Sequence, residues 1–528
     1  MGNRSRDRRP ALVATRQPRR RWWAFAALLA ASATVGCAET DAFCGSGGCF
    51  FTAEEWARLE GLAGLAAPPP DPSNRFVGNP AAVALGHELY FDTELSGAAS
   101  WVDMLDRPTS SARAPRDMPA RISCATCHDP AHAGADKTSV PGHVSVGAGW
   151  YDVNGQQSVN AAYYQLLYWN GRADSLWAQA AAVMESSVSM NGNRVAIARA
   201  VLGKHRARYD ALVGTPTTFD ASVTSCSGAA PDCGAGCDVI TSTRTGAQAC
   251  QPSIPLAGRP GRIAGCQHDD PGEPFRDAFD CMDPRRAAVV TNVFINVAKL
   301  IGAYEYELRS RNAPFDRFVA EGPLSSEISP AAKRGARLFV GRASCVDCHA
   351  TPLLSDNRFH NIGVPQVGDR VPTEADCRKG NVVCDCERGL RCLPWGFYDG
   401  RMKLLESRSY RRDGEFSDDP EKGGELYSTL YNLPASDATK GAWRTPSLRD
   451  VERTAPYMHN GLYRTLEEVV WHYDQGGGTG TASGKKAPEL KPLFLSQQDR
   501  ADLVQFLLTL TGTYDRPELH EAPAGAVP

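Results

Sequence analysis

Ser123-Cys124-Ala125-Thr126-Cys127-His128-Asp129 decides the reading of this chain. It contains a C-x-x-C-H, the pattern that attaches a c-type haem. Two thiols three residues apart lie near one face of a helical turn, within reach of the two vinyl groups of one porphyrin. The next residue, His128, then offers its imidazole to the iron as proximal ligand. The pattern recurs at Cys345-Val346-Asp347-Cys348-His349. Zinc and dithiol redox chemistry also use paired cysteines. A zinc ribbon sets its pairs much closer in sequence, and a dithiol has no need of the following His. Both copies therefore read as covalent haem sites.

The chain has 528 residues, enough for two or three domains. Its formal charge of -3 gives no reason to expect a nucleic-acid partner. The arginines from Arg4 to Arg21 precede an apolar run from Trp22 to Val35. That run is too short to span a bilayer comfortably, so residues 1–36 read as a signal peptide. The run ends at Thr34-Val35-Gly36-Cys37, which resembles a lipobox, although Thr34 stands where Leu is usual. The expectation is a periplasmic protein, either soluble or held to the membrane through a lipid on Cys37. No later segment reads as transmembrane.

Cysteine usage agrees with export. Of 17 cysteines, four belong to the haem motifs. Cys44 and Cys49 form a close pair. Two inserts hold most of the rest, one with Cys226, Cys233, Cys237, Cys250, Cys266 and Cys281, the other with Cys377, Cys384, Cys386 and Cys392. Every group but the lone Cys37 is even, which reads as disulfides stapling loop-rich segments, with a metal site as the competing reading.

Taken in order, residues 37–78 read as a tether carrying a short helix capped by Thr52, with Glu55 at the capping-box position. An N-terminal domain spans 79–325, with a disulfide-rich insert at 214–284 and a long amphipathic helix at 287–308. A C-terminal domain spans 326–512, with a second insert at 364–440. Residues 513–528 read as a disordered tail. Ser329-Pro330 and Ser496 with Asp499 are helix-start signals.

Several motifs agree in order with one family. These are LGHELYFDTELSG at 85–97, NAAYYQLLYWNGR at 160–172, Ala303-Tyr304-Glu305, Phe359-His360-Asn361-Ile362-Gly363, WRTPSLRD at 443–450 and APYMHNG at 455–461. Together they resemble the bacterial di-haem cytochrome c peroxidases and their relative MauG, over roughly residues 79–512. The resemblance implies a mainly α fold of two cytochrome c-like helical domains, each around one covalent haem, with the haems facing a shared interface. It implies hydrogen peroxide as oxidant, and a small electron-donor protein or a protein substrate as partner. Apart from the N-terminal lipid, no membrane contact is implied.

The ligands trans to His128 and His349 decide what each haem does, since a closed iron transfers electrons and an open one binds peroxide. The family places the second haem's ligand at Tyr473, where the peroxidases have Met and MauG has Tyr. His472 and Met458 compete for that role. For the first haem, His143 is close to the family's displaceable His, and His132 is its rival. Trp169 falls at the family's inter-haem tryptophan. The family's distal Gln is present as Gln179, but Ser189 occupies the position of its distal Glu, and Glu185 is the nearest carboxylate to substitute. The resemblance also implies one calcium ion, on Asn154 and the backbone carbonyls of Thr454 and Pro456. Ser189 leaves peroxide turnover open. A non-catalytic electron-transfer cytochrome is the rival reading.

Overall fold

The computed structural model describes residues 44–45, 48–103, 108–109, 112–140, 144–151, 153–241, 248–260, 278–365, 384–385, 393–394, 396–434, 436–478 and 484–526. The signal peptide, Cys37, His143, Cys266, Cys377, Cys386 and Cys392 lie outside these residues.

The fold is helix-rich, and its strands are short two-stranded ladders. Two main apolar cores sit side by side. The first is built on helices Pro80–Phe91, Leu176–Glu185, Arg194–Val213 and Pro284–Glu305. Asn79 caps the leading helix, accepting from the amides of Ala81 and Ala82, with Pro80 at its first position. Pro284–Glu305 is long and apolar enough to cross a bilayer, but here its apolar surface packs inside the first core.

The second core is built on Pro314–Glu321, Pro330–Val340 and Gln497–Leu508. Ser329 caps Pro330–Val340, and Ser496 with Asp499 forms a capping box on Gln497–Leu508, as their sequence signals require.

Each core is closed by the same kind of helix crossing. At Gly86 an added Cβ would lie 2.0 Å from the Leu300 carbonyl oxygen, and at Gly335 it would lie 1.9 Å from that of Asp502. Only a hydrogen fits at either crossing, so the backbones approach more closely than any side chain allows.

The first insert is stapled as expected by Cys226–Cys237 and Cys233–Cys250, around the hairpin Cys237–Thr241/Gln248–Pro252. The second insert is more than a loop. Its helices Phe397–Glu406 and Pro420–Tyr431 enclose a third small cluster with Leu166 and Ala442. Tyr431 and the Arg412 amide both donate to the buried Asp174, which fastens this insert to the first domain.

Three expected boundaries differ from the structure. Residues 50–65 are no loose tether. The helix Ala53–Glu60 buries Trp56 and Leu59, three residues apart on one face, and Trp56 meets Phe318 edge-on at 5.3 Å. Helix Pro314–Glu321, expected in the N-terminal domain, gives Phe315 and Phe318 to the second core. The buried Arg449 ties these pieces together. It donates to both oxygens of Asp316 at 2.8 and 3.0 Å and to the carbonyls of Pro352 and Leu62.

The tail is ordered through residue 526 and returns to the first domain. Thr513–Tyr514 pairs with Ser310–Arg311, Tyr304 donates to the Leu519 carbonyl at 2.7 Å, and His520 stacks on Tyr514. Leu519 fills the first core, and this anchor is one leucine in an otherwise polar, proline-containing segment.

The crossings make a direct stability test. Gly86→Ala and Gly335→Ala should each cost at least the ~1–3 kcal/mol of an overpacked core. Denaturant unfolding of the purified protein reads this, and an unchanged midpoint in both variants would contradict the close-crossing account.

Candidate haem-binding sites

Each C-x-x-C-H closes on itself as one turn. The amide of His128 donates to the Cys124 carbonyl, and that of His349 to the Cys345 carbonyl, both at 2.9 Å. Among the described residues Cys124, Cys127, Cys345 and Cys348 are the free cysteines. They lie in two separate cavities, one pair in each, so they do not form a single four-cysteine metal site. Burial pushes the Cys124 and Cys345 thiols up, Cys345 to about 12. They are poor metal thiolates, and their apolar surroundings suit thioethers.

The proximal rings are fixed by backbone. His128 Nδ1 donates to the Gln156 carbonyl at 2.7 Å and to that of Gly134 at 3.2 Å. His349 Nδ1 donates to the Leu354 carbonyl at 3.0 Å. Each bond leaves Nε2 as the ring's acceptor nitrogen, the tautomer an iron ligand needs. Both cavities also hold a cation in their shared wall. Arg444 is buried over the Tyr164 ring at 3.3 Å, and its Nη1 has no partner among the described residues. A buried guanidinium whose Nε donates to the Tyr168 carbonyl and whose Nη1 is left over suits an anionic group, and a porphyrin carries two carboxylates. The residues present thus fit haem at both places.

Residues 80–226 match the family described as di-haem cytochrome c peroxidase. Over 443 residues the chain is 29% identical to cytochrome-c peroxidase IdrP1 of Denitromonas iodatirespirans, covering 84% of each chain. It is 26% identical to the methylamine utilization protein MauG of Methylorubrum extorquens, over 82% of this chain and 78% of that one. Over most of its length the chain is thus similar to the di-haem cytochrome c peroxidases and to MauG. Among solved structures, the diheme peroxidase BthA of Burkholderia thailandensis matches with a TM-score of 0.48 and 20% identity, covering 87% of this chain and 92% of that one.

The cavity around His349 is lined by Tyr473 and Met458. Burial pushes the Tyr473 phenol well up. His472 faces elsewhere. Its Nδ1 meets the Tyr463 hydroxyl and its Nε2 the Ile362 carbonyl, both at 3.0 Å, so it has no nitrogen to offer an iron.

Trp169, expected between the haems, lines both cavities, and its indole donates to the Asn154 carbonyl at 2.9 Å. Trp443 lines both as well, stacked on His459 at 4.1 Å. The sequence reading gave Trp443 no role.

The cavity around His128 is lined by Gln179 and Ser189. Glu185 is not there. Its carboxylate pairs with Arg194 at 2.9 Å, on the neighbouring helix. Six residues beyond Gln179 is about 240° round the helix, so Glu185 leaves on a different face. It therefore does not substitute for a distal acid. His132 is also turned away, paired with Asp129 on the surface.

Asn154 donates through Nδ2 to the Pro456 carbonyl at 2.6 Å, and its Oδ1 is buried without a partner. Thr454 and Pro456 line the same cavity as Asn154. An amide oxygen with nothing to accept from, beside a carbonyl, is compatible with a cation between them.

Glu305 is the site residue that sequence reasoning missed. It lines the His128 cavity from helix Pro284–Glu305, burial alone pushes its carboxyl up to about 8, and its Oε2 has no partner among the described residues. Its sequence signal was the Ala303-Tyr304-Glu305 motif, to which no site role was given. An acid whose pKa rises on folding stabilises fully below its unfolded value. That contribution is lost as pH rises toward the folded value. Stability should therefore fall between pH 4.5 and about 8, and Glu305→Gln should flatten that slope. Chemical unfolding across this range checks it, and an equal slope in the variant would contradict the assignment.

Proposed function

We propose that this chain is a di-haem c-type oxidoreductase that uses hydrogen peroxide at the His128 site and moves electrons through the His349 site. The observation that supports this most is the common wall. Trp169, Trp443 and Arg444 each line both cavities, so whatever occupies them is separated by one layer of side chains. Haem bound at both places supplies redox chemistry and a binding position for peroxide.

The chain's residues divide the work. Tyr473 would be an iron ligand of the His349 site, a hard donor that favours the ferric state. Trp169 offers its ring as the relay between the sites. Gln179 presents an amide to peroxide on the open side of the His128 site. Calcium on Asn154, Thr454 and Pro456 holds the loop before Trp169 against the APYMHNG segment. The electrons come from a small donor protein, or from a residue of a protein substrate. The N-terminal signal supports a periplasmic location, soluble or held through a lipid on Cys37.

Ser189 favours a second reading, a di-haem electron carrier without peroxide chemistry, since a hydroxyl is a poor general acid near neutral pH. One experiment separates the two. The holoprotein is reduced to its mixed-valence state, given stoichiometric peroxide, and followed in the Soret band and by electron paramagnetic resonance. Rapid re-oxidation matched to the peroxide added is expected. A Soret band indifferent to peroxide would leave the carrier reading.

Tyr473→Met should raise the midpoint potential of the His349 haem, because a neutral soft donor replaces an anionic hard one. Potentiometric titration checks this, and an unmoved potential would remove Tyr473 from the iron.

A further inference from the structure

The loss of the distal carboxylate leaves a question that the His128 cavity itself addresses. Ser189 does not face the cavity alone. It shares the cavity with the phenol of Tyr151, which accepts from Arg172 Nη2 at 2.8 Å. Arg172 lies flat over the Tyr168 ring at 3.6 Å, and Tyr168 is tied to the Gln179 carbonyl by its own hydroxyl. Tyr151, Tyr168, Arg172, Gln179 and Ser189 all line this one cavity. The cluster therefore joins the position where the family has an acid to a titratable group and a fixed positive charge.

We propose that Tyr151, held by Arg172 in the same cavity wall as Ser189, is the proton-transfer group for peroxide in this protein, in place of the missing carboxylate. This rests on the peroxidase reading given above. The Tyr151 Oη takes the proton of the inner peroxide oxygen, directly or through the Ser189 hydroxyl. It then returns that proton to the outer oxygen. The O–O bond breaks and the outer oxygen leaves as water. The inner oxygen leaves as a second water after two protons and two electrons from the reduced donor protein. Tyr151 ends as it began.

The electrostatics support the role. Burial alone would push the phenol up. The Arg172 charge, the Arg172 hydrogen bond and the nearby hydroxyls of Ser189 and Ser186 outweigh it, and the phenol lies below its ordinary value of 10. Arg172 is held in its charged form by the same contacts, and the other groups facing Tyr151 are the neutral hydroxyls of Ser186, Ser189 and Tyr168. A basic form of Tyr151 is thus reached at lower pH than for a tyrosine in water. The rate with peroxide should rise with pH through that lowered value.

Three variants of the holoprotein test this by stopped-flow reaction with peroxide across pH, alongside ultraviolet titration of phenolate in the resting protein. Tyr151→Phe should slow the reaction by ~10²–10⁴-fold, the span of general acid–base catalysis, and abolish the pH step. Tyr151→Phe with Ser189→Glu should regain rate. Arg172→Gln should move the pH step and the phenolate titration upward together.

A Tyr151→Phe protein that reacts within threefold of the parent, with the same pH profile, overturns the proposal while leaving the peroxidase reading intact. A parent inert to peroxide sinks the peroxidase reading and the proton role with it. An iron–phenolate Raman band lost in Tyr151→Phe but kept in Tyr473→Phe would place Tyr151 on the iron and also overturn the role.

Discussion

The structure depends on one short hydrogen bond made twice, from the amide of the histidine to the carbonyl of the first cysteine in each C-x-x-C-H. At 2.9 Å it closes the turn at both sites and sets two thiols and one imidazole into one apolar cavity. The backbone then fixes the ring, through Gln156 and Gly134 for His128 and through Leu354 for His349. Helices pack around these turns at crossings where only glycine fits, Gly86 in one domain and Gly335 in the other. A covalent cofactor asks for this rigidity. It must be held by groups that do not move when its charge changes.

What differs between the two sites is the opposite side. Around His349 the wall presents Tyr473, a buried phenol, beside Met458. Around His128 it presents a polar cluster, Tyr151 with Arg172 and Ser189, together with the buried acid Glu305. The first suits a closed electron-transfer site and the second suits proton traffic. The shared wall of Trp169, Trp443 and Arg444 joins them. There the neutral His459 ring, its pKa lowered to about 3 by burial, stacks against Trp443.

Much of this was legible in the sequence because the chemistry is local. C-x-x-C-H, the serine caps and the Thr52 box act over a few residues, and each formed where it was read. Trp169 and Gln179 were placed in the right cavity by the order of motifs. The rest depends on contacts between distant segments. Nothing in the chain announces that Tyr151 and Ser189 line one cavity, because the two come from separate loops on either side of helix Leu176–Glu185. Glu185 was the nearest carboxylate in sequence, but the helix carries it round to Arg194. The tail looked unstructured by composition, yet Leu519 and His520 find buried places between the first core and the haem loop.

The central claim is that the two haem sites are unequal, one closed by Tyr473 and the other open toward Tyr151. A crystal structure of the mature holoprotein, with both irons located by anomalous scattering, tests it most directly. The account requires the Tyr473 oxygen on the iron opposite His349. It also requires the Tyr151 phenol, still bonded to Arg172, facing the other iron without touching it. Tyr473 withdrawn from its iron, or Tyr151 on the far side of the haem from Gln179, would contradict it.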